Sequence, residues 1–345
     1  MGAGISGRSR IRTCGVVGAA RQGLLQTRSH RTSEGIVQQP LDGPGEPTGD
    51  GRSVRPLRTR LQEARRRLGL PWEALERDYL QSWVLVGITK VPALPDTLVF
   101  KGGTALRKCY FGDYRFSEDL DFSALEEIPK GDEMEKLIGE SCAIAVRLLD
   151  EYAPVEIICE RYTEREPHPG GQEAFTVRAR FPWHSHTQTR VMIEVTVDER
   201  ILRPSEKRQV IHEYGEPLNI KVPVYSLEEI VAEKLRALLQ QAALFKARGW
   251  SRSRARDYYD LWRMFGSYGD RMELADFDML LREKCAVRAV SFTGPNDFFD
   301  ERMLVNVEET WEQWLGPLVS DLPTFGTVVG ALRPRVAKLV PADST

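Results

Sequence analysis

Two aspartates, Asp119 and Asp121, follow a glycine pair, Gly102 and Gly103, in the run Phe100 to Ser123, FKGGTALRKCYFGDYRFSEDLDFS. Read as a strand, Phe116 to Ser123 alternates: Ser117, Asp119, Asp121 and Ser123 face one way, Phe116, Glu118, Leu120 and Phe122 the other. Two like charges with Cα atoms roughly 7 Å apart on one strand face repel, and a divalent cation removes that cost while supplying the Lewis acid that phosphoryl chemistry needs. Upstream, Leu98, Val99 and Phe100 end a buried strand and the two glycines clear the turn of side chains. Thr104 to Tyr110 then starts a helix whose first N–H groups favour an anion. The chemistry this pairing suits is nucleotidyl transfer from an NTP held through Mg²⁺ or Mn²⁺. Each half alone is common: glycine pairs open many helices, no Walker lysine follows, and a D-x-D is often a solvated face. The order strand, turn, helix, strand is the selective feature.

Three later segments could complete such a site. Val191 to Val197 alternates so that Glu194 shares a face with Met192 and Thr196, either as a third metal-binding carboxylate or as an exposed edge residue. On the helical pattern Leu227 to Arg248, Leu227, Ile230, Val231, Leu235 and Leu238 form an apolar stripe with Lys234 inside it, while Glu229, Glu233 and Arg236 lie opposite. A lysine there snorkels to the rim, or it reaches into a cleft to neutralise phosphate charge. In RARDYYDLWRMF, Tyr258, Leu261, Trp262 and Phe265 are the buried stripe, Asp257 lies at its border, and Asp260 and Arg256 are expected further round toward solvent. Asp257 is thus the functional acid of the pair, or a helix N-terminal acid favoured by the dipole. Lys246, Arg248, Arg252, Arg254 and Arg256 gather around Gly249 and Trp250, as an RNA-backbone contact or as solvated surface.

The elements that must position these groups read as an N-terminal α/β unit followed by helices. Helices are expected over Leu57 to Leu68, Trp72 to Ile88 and Asp132 to Glu151, and strands over Val155 to Tyr162, Ala174 to Phe181 and Val191 to Val197. After Tyr225 the pattern is helical: Leu227 to Arg248, Arg254 to Phe265, and segments from Asp276, Asp297 and Leu318. The expected organisation is a tail over 1–55, a mixed sheet backed by helices over 56–225, and a helical unit over 226–340 that completes the site, an α+β class. The tail holds six arginines before its first acid, Glu34, a composition expected to be disordered.

The runs FKGGTAL and RFSEDLDF resemble the signature of the nucleotidyl transferase AbiEii/AbiGii toxin family, a branch of the polymerase β-like nucleotidyltransferases. The likeness extends over roughly Trp72 to Phe325. It implies a polymerase β-like core in which Asp119 and Asp121 hold metal with Glu194, and Gly102, Gly103, Thr104 and Ser117 meet the nucleotide. By the same resemblance Lys234 matches the lysine after the catalytic strands, and Asp257 matches the aspartate of the closing RDYYDLW motif. It further implies a toxin of a toxin–antitoxin or abortive-infection pair, a cognate antitoxin as partner, and transfer onto RNA, notably the tRNA acceptor end. The other readings of the same carboxylates are a small-molecule, antibiotic-type nucleotidyltransferase and a nucleotide-binding interaction protein that has lost catalysis.

The whole chain sets bounds. With 48 basic and 50 acidic residues the formal net charge is −2, so nucleic-acid contact would need a local patch rather than a global field. Five cysteines, at 14, 109, 142, 159 and 285, show no C-x-x-C spacing, which argues against structural zinc and fits a reducing cytoplasm. No apolar run approaches the roughly 18 residues of a membrane span, so no membrane partner is expected.

Overall fold

The computed structural model describes residues 54–125, 128–162, 171–249 and 252–341, so the tail expected over 1–55 lies outside them up to residue 53. Helices α1 (Leu57–Leu68) and α2 (Trp72–Lys90) lead into β1 (Leu98–Lys101). The short α3 (Gly102–Ala105) continues as a wider π-helical turn, Leu106–Tyr110, before β2 (Asp119–Ala124). Then follow α4 (Asp132–Leu149), β3 (Glu156–Arg161), β4 (Gln172–Arg180), β5 (Thr189–Thr196), β6 (Glu206–Gln209) and β7 (Lys221–Val224). Beyond β7 the described residues are helical: α5 (Leu227–Arg248), α6 (Ala255–Tyr268), α7 (Phe277–Val287), α8 (Glu301–Leu315) and α9 (Phe325–Leu339), with a 3₁₀ turn at Pro295–Phe299.

The seven strands form one mixed sheet in the order β3-β4-β5-β2-β1-β7-β6. The β2–β5 and β1–β7 pairs are parallel, and the other pairs are antiparallel. Leu120 and Phe122 of β2 and Ile193 and Val195 of β5 are buried, which turns the intervening acids to the other face of the sheet. Helix α2 is buried nearly all round because it packs on α4 and also meets α1, β5 and β7. Gly87 permits the close approach of α2 to α4: a Cβ there would lie 2.0 Å from the Ser141 carbonyl oxygen.

A buried polar anchor fixes the turn after β1. Asp78 of α2 accepts from Arg107 Nε (2.7 Å), Lys108 Nζ (2.7 Å) and Tyr214 Oη (2.8 Å). Burial opposes ionisation of Asp78, but the two cations outweigh it and hold its pKa well below the carboxylate range. The segment behind the glycine pair is therefore locked to the helical layer.

The expected strands and helices fall on observed elements with shifted ends. The acidic strand starts at Asp119 rather than Phe116, and the helix after the glycines starts at Gly102 and widens at Leu106. Strands β6 and β7 escaped the reading; both are four residues long, and Pro223 interrupts the second. Two expectations about exposure are corrected. Glu229 and Arg236, read as lying opposite the buried stripe of α5, are themselves buried, because α7 packs on α5 and brings Lys284 and the neighbouring Glu199 against them. Asp260, expected toward solvent, is wholly buried. No helix among the described residues is long and apolar enough to cross a membrane.

Candidate active site

Strand pairing assembles the acids. In the parallel β2–β5 pair, Asp119 lies opposite Met192 and Asp121 opposite Glu194, so all four share one face of the sheet. On the other side of β2, Lys101 pairs with Asp121 across β1. Lys101 is the last strand residue before the glycines, and its ammonium lies 3.4 Å from Glu233 of α5.

The glycine turn is pressed against the second aspartate. Gly102 has φ +75°, a left-handed conformation that favours glycine, and a Cβ there would sit 2.2 Å from Asp121 Oδ2. At Gly103 a Cβ would meet Arg115 Nη2 at 2.6 Å and Ser117 Oγ at 3.0 Å, which places the Ser117 hydroxyl beside the turn. The buried Thr104 hydroxyl donates to the Asp119 carbonyl oxygen. That bond ties α3 to β2 and leaves the Thr104 backbone, rather than its side chain, for a ligand.

The helices supply the opposite wall. Lys234 Nζ lies 2.9 Å from Asp257 Oδ1 and 2.7 Å from Asp260 Oδ2. Asp260 also accepts from Arg115 at 2.6 Å through both Nε and Nη2, and from the Tyr114 hydroxyl at 2.6 Å. Arg254 Nη1 approaches Asp257 Oδ2 at 3.2 Å. A cleft of about 380 Å³ opens where these groups meet the sheet; its lining includes Gly102, Asp121, Glu194, Lys234, Asp257 and Arg252. Asp119 stands two residues before Asp121 on the same strand face.

The electrostatics separate the two walls. Burial and the charges of Glu194 and Asp119 push the Asp121 carboxyl up to about 7. Burial and Glu118 also raise Asp119. On the helical wall, burial opposes the charged forms, yet Lys234 and Arg254 hold Asp257 low, and Arg115 and Lys234 hold Asp260 down to about 2. The same pairing raises Lys234 against the pull of its own burial.

The donor set on the sheet fits a divalent cation. On the paired strands Asp121 is crowded by the charges of Glu194 and Asp119, and a cation would relieve that repulsion. Among the described residues no three His, Cys, Asp or Glu side chains form a ready cage. Mg²⁺ usually keeps several waters and completes its shell with substrate phosphates, so an open set of acids suits it better than a closed one.

The structure thus brings Gly102, Asp121, Glu194, Lys234 and Asp257 to one cleft, with Asp119, Gly103, Thr104 and Ser117 immediately beside it. Sequence reasoning missed Lys101 and placed Arg252 only in the basic cluster, yet both are in the lining. The signal for Lys101 was a lysine closing an apolar strand directly before a glycine turn. It also missed Asp260, which braces Lys234. Its spacing of three from Asp257 puts both acids within reach of one ammonium. Of the basic cluster, Trp250 lies outside the described residues, Arg254 and Arg256 pair with Asp257 and Glu118, and Lys246 with Asp300.

The family described as "Nucleotidyl transferase AbiEii toxin, Type IV TA system" matches residues 83–338. Among solved structures, the chain is similar to MenT4, a nucleotidyltransferase toxin from Mycobacterium tuberculosis H37Rv, at 24% identity and a TM-score of 0.48. That likeness covers 78% of this chain and 84% of the other. None of the curated proteins matches.

Proposed function

We propose, for a chain that belongs to the nucleotidyl transferase AbiEii toxin family, that the cleft transfers a nucleotide from an NTP onto an RNA, such as the acceptor end of a tRNA. Membership makes it a nucleotidyltransferase toxin of a type IV toxin–antitoxin system, with an NTP as substrate and an antitoxin as partner. An abortive-infection role and a cytoplasmic location belong to the same proposal. The observation that carries it is the convergence of the sheet acids and the Lys234–Asp257 pair on one cleft beside the Gly102 turn.

Asp119, Asp121 and Glu194 would hold Mg²⁺ or Mn²⁺, whose charge offsets that of the phosphates. The Gly102–Gly103 turn, with no side chains in the way, lets backbone approach the phosphates, and Ser117 and the Thr104 backbone border it. Lys234 faces the cleft with its charge secured by Asp257 and Asp260, so it stays an ammonium and can steady the triphosphate. Asp257 is held ionised by Lys234 and Arg254. A carboxylate that acidic accepts a hydrogen bond well and a proton poorly, so it suits orienting the acceptor hydroxyl better than deprotonating it. The hydroxyl oxygen attacks the α-phosphorus as its proton passes to water, the bond to the bridging oxygen breaks, and pyrophosphate leaves. Positioning and charge neutralisation supply most of the acceleration.

The test is to incubate the protein with each labelled NTP, Mg²⁺ and total tRNA. The expected result is label on RNA with wild type and none with Asp121→Asn. Label on an aminoglycoside and none on RNA would select the small-molecule reading. No transfer under any condition, with growth arrest equal for wild type and Asp119→Ala, would leave a non-catalytic interaction protein.

A further inference from the structure

Beside Asp119 runs a string of contacts that the reaction as described does not use. Glu118, the residue before Asp119, accepts from Arg77 Nη1 at 2.9 Å and from Arg256 Nη2 at 2.8 Å. The Arg256 guanidinium lies 5.5 Å from the centre of the Trp314 ring, which is 43% exposed. In the other direction Arg77 Nε donates to the Arg190 carbonyl oxygen at 3.1 Å, and the Arg190 guanidinium lies 5.9 Å from the Tyr162 ring, also 43% exposed. Six residues from α2, β5, α6, α8 and the segments flanking β2 and β3 thus form one chain of neighbours, with two guanidiniums on the Glu118 carboxylate and Arg190 joined through its backbone carbonyl. It is anchored at the residue next to Asp119.

Among the described residues, most arginines that approach a ring do so at buried or half-buried aromatics. Here the two outermost members are accessible rings, each beside a cation, and the cations lie between them. That alternation matches a strand of unpaired nucleotides, with phosphates beside guanidiniums and bases on rings. A duplex has its bases already stacked and would leave the rings unused. A chain with net charge −2 has no global field to attract a polyanion, so a local track of this kind is what such binding requires.

We propose that Trp314, Arg256, Arg77, Arg190 and Tyr162 form a binding track for the single-stranded end of the acceptor polynucleotide, leading it past Glu118 to the Asp119–Asp121 site. The inference rests on the RNA-transfer reading above. The track binds the acceptor and not the NTP, so its loss appears in one Michaelis constant and not the other.

The experiment compares wild type with Trp314→Ala and Tyr162→Ala, and uses Trp314→Phe as the conservative variant. Both rings are exposed, so folding is checked simply by unchanged thermal denaturation. Fluorescence anisotropy of a labelled single-stranded RNA oligonucleotide measures equilibrium binding without turnover, and steady-state transfer measures KM for RNA and for NTP separately. The expected result is a rise of at least about fivefold in both Kd and KM for RNA in each alanine variant, since each stacked base contributes that much or more. KM for NTP should be unchanged, binding should recover in Trp314→Phe, and a duplex of the same length should bind more weakly than the single strand. If wild type labels RNA while the alanine variants keep Kd and KM for RNA within twofold, the track is wrong and the RNA reading stands. If wild type labels no RNA at all, the RNA reading fails and the track with it.

Discussion

The sheet wall and the helical wall of the cleft both carry acids, half-buried on the sheet and wholly buried at Asp260, and they handle charge in opposite ways. On the sheet, Asp119, Asp121 and Glu194 are gathered by strand register, and Asp121 is driven up to about 7. On the helices, Asp260 makes two bonds to Arg115, one to Tyr114 and an ion pair with Lys234, and is held down to about 2. Acids whose charge is answered within the fold hold elements together, whereas acids crowded by like charge favour a cation from outside. Asp257 stands between the two, paired with Lys234 yet lining the cleft.

The contrast is sharpest in Asp121→Asn. Transfer should fall on the order of 10³- to 10⁴-fold, because the phosphate charge loses its counter-charge, while stability holds or rises as the repulsion with Glu194 and Asp119 is removed. Labelled NTP incorporation and thermal denaturation read the two effects. A fall in stability matching the loss of transfer would erase the distinction between the walls. Asp260→Asn should do the reverse: it leaves Arg115 buried without its carboxylate and Lys234 with Asp257 alone, at a cost of about 3–5 kcal/mol in urea unfolding. A loss under about 1 kcal/mol would show that Asp260 is not a structural acid.

The helical wall also predicts an acid limb. The folded pKa of Asp260 lies below its unfolded value of about 3.9, so its contribution is present above pH ~4 and is lost as pH falls toward ~2. From the size of that shift the loss is about 2 kcal/mol. Urea unfolding across this range should show it in wild type and not in Asp260→Asn; equal slopes in the two proteins would contradict the assignment. The smallest stability effect is expected at the junction. Gly102→Ala forces a side chain into a left-handed backbone and against Asp121 Oδ2, at about 1–2 kcal/mol. It should lower transfer far more than that figure suggests, since a displacement of about 1 Å at a reacting centre can cost 10²-fold. Full activity in this variant would separate the turn from the site.

The sheet wall was legible in the sequence because local patterns define it. Alternation puts Asp119 and Asp121 on one face, and the glycine pair declares its turn. Glu194 could be placed on a face but not opposite Asp121, because strand register depends on which strands pair. The helical wall was half legible. Lys234 showed itself as a charge within an apolar stripe, and Asp257 as an acid at a stripe's border. Asp260 was misread because a helical wheel assumes one buried face, whereas α6 packs on α5, α8 and α9 and meets Arg115 and Tyr114 from the β2 approach. The burial of Glu229 and Arg236 was hidden for the same reason: α7 covers the far side of α5 and brings Lys284 with it.

The most direct test of the two-wall account is calorimetric titration of non-hydrolysable NTP analogues into wild type and Asp121→Asn, with Mg²⁺ and with EDTA. The account predicts that wild type binds at least about tenfold more tightly with Mg²⁺, and that Asp121→Asn loses this dependence. Equal affinity in Mg²⁺ and EDTA for wild type, or a Mg²⁺ dependence unchanged in Asp121→Asn, would contradict it.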